Sequence, residues 1–288
     1  MNGRNFLLVY NPRSGKGSFL KKIQEIKQLF SEKNLSFEFV SILNLNNNQI
    51  NIENYDTVVA IGGDGTVLSL LPYLVRKNIN LGIIPCGTAN LLAEKLSIPL
   101  NIEQAVELLI NGTEKLIDVG KIGTSYFVLR VGYGIDADII NGANSNLKNK
   151  FGYFAYLIQG IKCAFNLRPR NFEIKTDKGI INARASAVIV SNAGNMFKGK
   201  CSVAPANDLS DGKLDVFVLY AKNILEFLTV VLQIIFNKHK DGNSVLYEKV
   251  RSISIKSNNN KFHVDGEVHS PQMVDISLLH NALAVITP

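Results

Sequence analysis

The sequence predicts a two-part chain, α/β in its N-terminal part and mainly β in its C-terminal part. Apolar strand-like runs alternate with helix-period segments up to about residue 118, which implies parallel strands with helices covering the sheet. Beyond that point β-type runs separated by turn residues dominate. Three glycine turns, "NPRSGKG" (11–17), "GGDGT" (62–66) and "PCGT" (85–88), each follow a strand-like run of the first part. In a parallel sheet such turns emerge at one carboxyl edge, where ligands bind. A boundary near 118–128 leaves a cleft between the halves as the expected site.

In chain order, "NFLLVYNP" (5–12) reads as a buried strand stopped by Asn-Pro. Residues 18–34 repeat Leu20, Ile23, Ile26 and Phe30 at near-helical spacing. Strands are predicted at 37–42 and 55–61, with an Asn-rich linker at 44–51. A helix or helical turns around Pro72, a strand at 81–85 and a helix at 88–96 complete the α/β part. The run from Leu116 through "GYGIDADI" reads as β, as do segments within 172–194, 213–220, 252–258, 262–267 and 273–279. Helices are predicted at 152–165 and 223–240. The second has an apolar core of residues 224–236, too short to span a bilayer, so it packs on the β part or also touches a membrane through its Lys238 and Lys240 tail.

At 288 residues the chain can bury a full core without disulfides or metals. Cys86, Cys163 and Cys201 are too dispersed for a zinc knuckle, and their odd number argues against a disulfide scaffold. A reduced cytosolic compartment is expected, since the first apolar run is also too short for a signal peptide. The net charge of +7 favours anionic partners. Nucleic acid is not expected among them, because Lys and Arg are dispersed and no helix-turn-helix or zinc signature occurs. No G-x-S-x-G supports hydrolysis, His239 reads as a solvated residue of a basic helix tail, and His263, His269 and His280 are too scattered for a metal site or triad.

Each glycine turn is either a structural turn or a phosphate cradle built from backbone N–H groups. Neither the P-loop nor the G-x-G-x-x-G spacing is met. Asp64 inside "GGDGT" would repel phosphate unless a cation lies between, and Mg²⁺ carried by a nucleotide is such a cation.

Together "NPRSGKG", "GGDGTV", "IPCGTANLLA", "GYGIDADI", "APANDLSDGKLDV" and "VDGE" resemble the diacylglycerol kinase catalytic family in order and separation, from residue 6 to about 285. That family takes in soluble bacterial diacylglycerol kinases and, more remotely, sphingosine and ceramide kinases; NAD kinases share "GGDGT". The resemblance implies a Rossmann-like N-terminal domain (1–122) and an antiparallel β-sandwich domain (123–288), with the last strand free to return to the first domain. It implies ATP bordered by Asn11, Ser14 and Gly15, phosphates and Mg²⁺ at Gly63, Asp64, Gly65 and Thr66, and Thr88 beside them. It also implies a structural Mg²⁺ held by Asp208, Asp211 and the Lys213 carbonyl, and Glu267 as the base that takes the lipid hydroxyl proton. Phosphoryl transfer has the same needs: cations and N–H groups on the phosphates and one carboxylate at the acceptor hydroxyl.

The expected activity is ATP-dependent phosphorylation of a lipid hydroxyl, diacylglycerol first. NAD kinase, or a catalytically weak nucleotide- or lipid-binding regulator, are the alternatives. Where bacterial relatives commonly have Asn-Glu and Asp, this chain has Leu68, Ser69 and Leu91. Asp118 is either a replacement for the missing carboxylate, part of the family's cleft network, or a structural strand residue. The expected partners are a membrane lipid and, transiently, an anionic membrane surface; the expected location is cytoplasmic and peripheral to the membrane, and a homodimer is left open.

Overall fold

The computed structural model describes residues 4–12, 19–46, 50–142, 162–193, 208–235, 244–258, 261–270 and 273–288. The chain divides into two compact units, Met1–Ile117 with Asn281–Pro288, and Asp118–His280.

The first unit begins with β1 (Asn5–Tyr10), α1 (Phe19–Glu32), β2 (Ser36–Ser41), α2 (Ile42–Asn46), β3 (Thr57–Gly62) and α3 (Asp64–Leu74). It continues with β4 (Asn80–Pro85), α4 (Leu91–Lys95) and α5 (Ile102–Asn111). The strands pair in parallel in the order β2-β1-β3-β4, with Leu8 opposite Val59 and Val59 opposite Gly82. Every residue of β3 is buried because helices cover both faces. Ile23, Ile26 and Phe30 of α1 and Ala105, Val106 and Leu109 of α5 pack with Phe6, Leu8, Val59, Ile61 and Ile84. α3 packs on β3 and β4 through its own buried row, Val67, Leu70, Leu71 and Leu74.

The chain then runs through β5 (Thr113–Ile122), β6 (Ser125–Phe127), β7 (Arg130–Gly134) and α6 (Ile135–Gly142). Next come β8 (Arg170–Thr176), β9 (Gly179–Ala185), β10 (Ala187–Ser191), β11 (Leu214–Leu219) and α7 (Ile224–Ile235). The last strands are β12 (Val245–Val250), β13 (Ser252–Ser257), β14 (Phe262–Val264), β15 (Glu267–His269) and β16 (Met273–Thr287). In the second unit one antiparallel sheet has the order β12-β11-β10-β7-β14-β15. In the other, β13 pairs antiparallel with β8 and with the start of β16, and β8 with β9. Val188, Val190, Val216 and Val218 of the first sheet bury against Phe172, Ile174, Ile253 and Ile255 of the second, making a β-sandwich. On the outer face of the six-stranded sheet, Ile189, Phe217 and Leu219 meet Ile135 of α6, Ala164 and Val230 of α7. β11 is buried at all six positions for that reason.

The fold is the expected α/β part plus antiparallel β-sandwich, and several local expectations are corrected. "IDADI" forms a helix, not strand: Gly134 at φ +73° breaks β7, and Asp136 and Asp138 lie in the first turn of α6, where carboxylates favour a helix start. α5 had no expected counterpart, although Asn101 accepts the Gln104 N–H at 3.0 Å as an N-cap. The final strand reaches Thr287, and its Val285 pairs in parallel with Leu81 of the first unit's sheet. Most of the helix expected at 152–165 lies outside the described residues, as do residues 236–240 of the other.

Candidate active site

Two glycine turns adjoin in the first unit because β3 and β4 are paired in register up to Gly62 and Pro85. The Cys86 and Gly87 N–H groups both donate to the Gly62 carbonyl, at 2.7 and 3.1 Å. A Cβ on Gly87 would lie 2.5 Å from the Gly63 Cα, so the backbones approach at a distance that only glycine permits. Asn90, at φ +51°, closes the second turn by accepting the Gly87 N–H and donating to the Gly87 carbonyl, each at 3.0 Å.

Asp64 opens α3 and reaches to α4. Its Oδ2 accepts the Leu91 N–H at 3.1 Å and its Oδ1 the Leu92 N–H at 3.0 Å. The carboxylate thus caps a helix remote in sequence, and each oxygen keeps acceptor capacity for a further donor or cation. Thr66 is buried and donates its N–H to the Gly63 carbonyl at 2.9 Å. Gly65 and Thr88 are exposed. A Cβ on Gly65 would meet nothing within 4 Å, so packing does not require glycine there. Leu68 and Leu91 are half-buried, and the Ser69 hydroxyl donates to the Gly65 carbonyl at 2.8 Å.

Gly63, Asp64, Gly65, Thr66 and Thr88 therefore fall on two touching turns. Asn11 follows β1, whose Tyr10 is in register with Ile61, at the same carboxyl edge of the sheet. Ser14 and Gly15 lie outside the described residues.

In the second unit, Asp265 and Gly266 form a two-residue hairpin between β14 and β15, with φ of +45° and +93°. Asp-Gly suits the mirror-image turn that such a hairpin needs. The Asp265 carboxylate accepts the N–H groups of Val128 at 2.8 Å, Leu129 at 3.1 Å and Arg130 at 2.6 Å. Its own N–H donates to the Arg130 carbonyl at 2.9 Å. Burial pushes this carboxyl up to about 6 against the opposing pull of those three donors and of His263. Glu267 opens β15 and is exposed.

Behind the hairpin lies a network that no sequence pattern signalled. His263 Nε2 is 2.8 Å from Asp136 Oδ2, and Arg130 Nη2 donates to Asp136 Oδ1 at 3.1 Å. Burial favours the neutral form of Asp136, but the Arg130 guanidinium and the His263 ring outweigh it and hold the carboxyl down at about 2. Asp136 and His263 are 127 residues apart in sequence, so only the fold brings them together.

The 208–213 turn, for which a metal is expected, is closed by its own side-chain hydrogen bonds. Asp208 Oδ1 accepts the Ser210 N–H at 3.1 Å and hydroxyl at 2.6 Å, and Asp211 Oδ1 accepts the Lys213 N–H at 3.0 Å. Asp211 Oδ2 pairs with the Lys249 ammonium, which also lies 3.8 Å from Asp215 Oδ1. Among the described residues no three His, Cys, Asp or Glu side chains gather as a metal site. Lys249 offsets part of the negative charge that Asp208, Asp211 and Asp215 bring to this turn. Asp118, 1% exposed, accepts the Gly212 N–H at 2.7 Å through Oδ2 and lies 2.8 Å from His280 Nδ1 through Oδ1. It anchors this turn. No helix among the described residues is long and apolar enough to cross a membrane.

Comparison with known proteins also divides the chain, near residues 122–129. Residues 5–122 match the diacylglycerol kinase catalytic domain, and residues 129–287 the YegS C-terminal NAD kinase beta sandwich-like domain. The chain is 27% identical to a diacylglycerol kinase of Bacillus subtilis over 290 residues, covering 98% of this chain and 95% of the relative. It is 30% identical to an uncharacterized protein of Synechocystis over 301 residues, 98% of this chain and 70% of the relative. A crystal structure of a diacylglycerol kinase from Bacillus anthracis superposes with a TM-score of 0.79 at 24% identity, covering 100% of this chain and 98% of that one. Yeast NADH kinase shares the fold more distantly, with a TM-score of 0.53 at 10% identity over 100% of this chain and 84% of that one. With adjoining glycine turns in one unit and a hairpin-borne glutamate in the other, the chain belongs to the diacylglycerol kinase catalytic family.

Proposed function

We propose that the chain is an ATP-dependent lipid kinase, with diacylglycerol the first candidate acceptor and phosphatidic acid the product. The observation that carries this reading is the exposed Glu267 on a hairpin pinned by Asp265, in a chain of this family. The turns at Gly63–Thr66 and Gly87–Thr88 receive the nucleotide phosphates through backbone N–H groups. Mg²⁺ accompanying ATP would neutralise phosphate charge there. Glu267 takes the proton from the lipid hydroxyl as its oxygen bonds to the γ-phosphorus, and the β,γ-bridging oxygen leaves with ADP.

A soluble enzyme must reach that hydroxyl at the headgroup level, so the reading includes a cytoplasmic protein at an anionic membrane surface. Leu225 and Leu228 on the outer side of α7, with exposures of 72% and 48%, support this, since its inner side already packs through Phe227 and Val230.

The test is radiolabelled ATP offered with mixed lipid extract in anionic vesicles, beside a parallel assay for NADP from NAD. Labelled phosphatidic acid is the expected product. Label in no lipid, under conditions where the Bacillus subtilis relative yields one, would reject the reading; NADP formed faster than any lipid phosphate would replace it.

A further inference from the structure

His263 has two distinct partners, one on each ring nitrogen. The Gly266 N–H donates to Nδ1 at 3.3 Å, inside the turn that precedes Glu267. An accepting Nδ1 carries no proton, so the neutral ring bears its proton on Nε2, which then donates to Asp136 Oδ2 at 2.8 Å. Asp136 is in turn held by Arg130. The ring is 1% exposed, and its strand is in register with Gly132. A Cβ on Gly132 would come within 2.0 Å of Asp136 Oδ2 and 2.5 Å of His263 Nε2, so the pair fills space that exists only because residue 132 is glycine.

Among the described residues, the charged groups beside the ring include Asp136 from α6, Arg130 from β7, and Asp265 from the turn itself. Asp265 fixes the turn to residues 128–130 from one side. His263 fixes it from the other.

We infer that His263 is a positioning residue for Glu267: held in one tautomer by Asp136, it fixes the Gly266 N–H and with it the direction in which the hairpin presents the glutamate. This rests on the proposed role of Glu267 as base. A carboxylate displaced by about 1 Å from its acceptor hydroxyl costs on the order of 10²-fold in rate, so the effect falls on kcat.

Three variants separate the two ring contacts. His263→Asn keeps an acceptor near the Nδ1 position, His263→Gln keeps an amide donor near the Nε2 position, and His263→Leu keeps neither. Lipid-kinase kcat should fall about tenfold in His263→Asn and about 10²-fold in His263→Leu, with His263→Gln between them and the KM for ATP within about twofold throughout. Folded His263→Leu with kcat within about twofold of wild type would overturn the proposal. Nitrogen-15 NMR of the wild-type imidazole and hydrogen exchange of the Gly266 amide need no activity, so they test the contact even if the kinase reading fails. A ring protonated on Nε2, with Gly266 exchange accelerated at least tenfold in His263→Leu, is expected. A proton on Nδ1, or unchanged exchange, would refute it.

Discussion

Asp64 and Leu92, 28 residues apart, are joined by a 3.0 Å hydrogen bond from a backbone N–H to a carboxylate oxygen, so the acid of the glycine turn also caps the next turn's helix. Asp64→Asn replaces one acceptor by an amide donor facing an N–H. It should cost about 1 kcal/mol of stability, and lipid turnover should fall with it. Denaturant unfolding and ATP titration on the same preparation check this. Unchanged stability would show that the cap contributes nothing.

Gly65 offers a cleaner separation of fold from ligand. It lies in the first turn of α3 with open space around its Cα, so Gly65→Ala should stabilise the free protein by up to about 1 kcal/mol through helix propensity. The added methyl projects where phosphate is proposed to sit, and ATP affinity should drop at least tenfold. Calorimetric melting and ATP binding measure both. A variant that binds ATP normally would remove this turn from the nucleotide site.

Glu267→Gln keeps size while removing the ability to accept a proton. If Glu267 is the base, kcat should fall on the order of 10²- to 10⁴-fold. The KM for ATP should move little, and an exposed side chain leaves the fold intact. Turnover near the wild-type value in the folded variant would assign proton acceptance elsewhere.

Lys249 is the cation seen beside Asp211 and Asp215. Lys249→Met leaves two carboxylates without it and should destabilise the second unit by about 1–3 kcal/mol. Mg²⁺ should partly restore the variant, and thermal melts of the wild type with and without Mg²⁺ test the expected ion at this turn. Protection of the wild type that disappears in Asp211→Ala would place the ion there.

Asp136 and Asp265 predict opposite pH slopes. Asp136 is held at about 2 against an ordinary value of 3.8, so its contribution is complete above about pH 4 and is lost as pH falls through about 2. Asp265 is raised to about 6, so its contribution is complete below about pH 4 and is lost as pH rises through about 6. In urea unfolding, the stability gap between wild type and Asp136→Asn should narrow from about pH 5 to about pH 2. A constant gap would show that the carboxylate is not held down.

The sequence by itself determined the α/β and β halves, because apolar periodicity follows from which faces are buried and those periods are local. It also determined the glycine turns and the Asp265-Gly266 turn, since φ and close backbone approach restrict residue type at single positions. "IDADI" misled because its apolar content suited a strand, and only Gly134 with the two aspartates told of a helix start. Tertiary structure alone decided what each carboxylate faces: Asp64 faces α4, Asp211 faces Lys249, and Asp136 faces Arg130 and His263. A charged side chain has no period to read. Its partner is chosen when strands distant in sequence pair and burial leaves the charge dependent on whatever group the register places beside it.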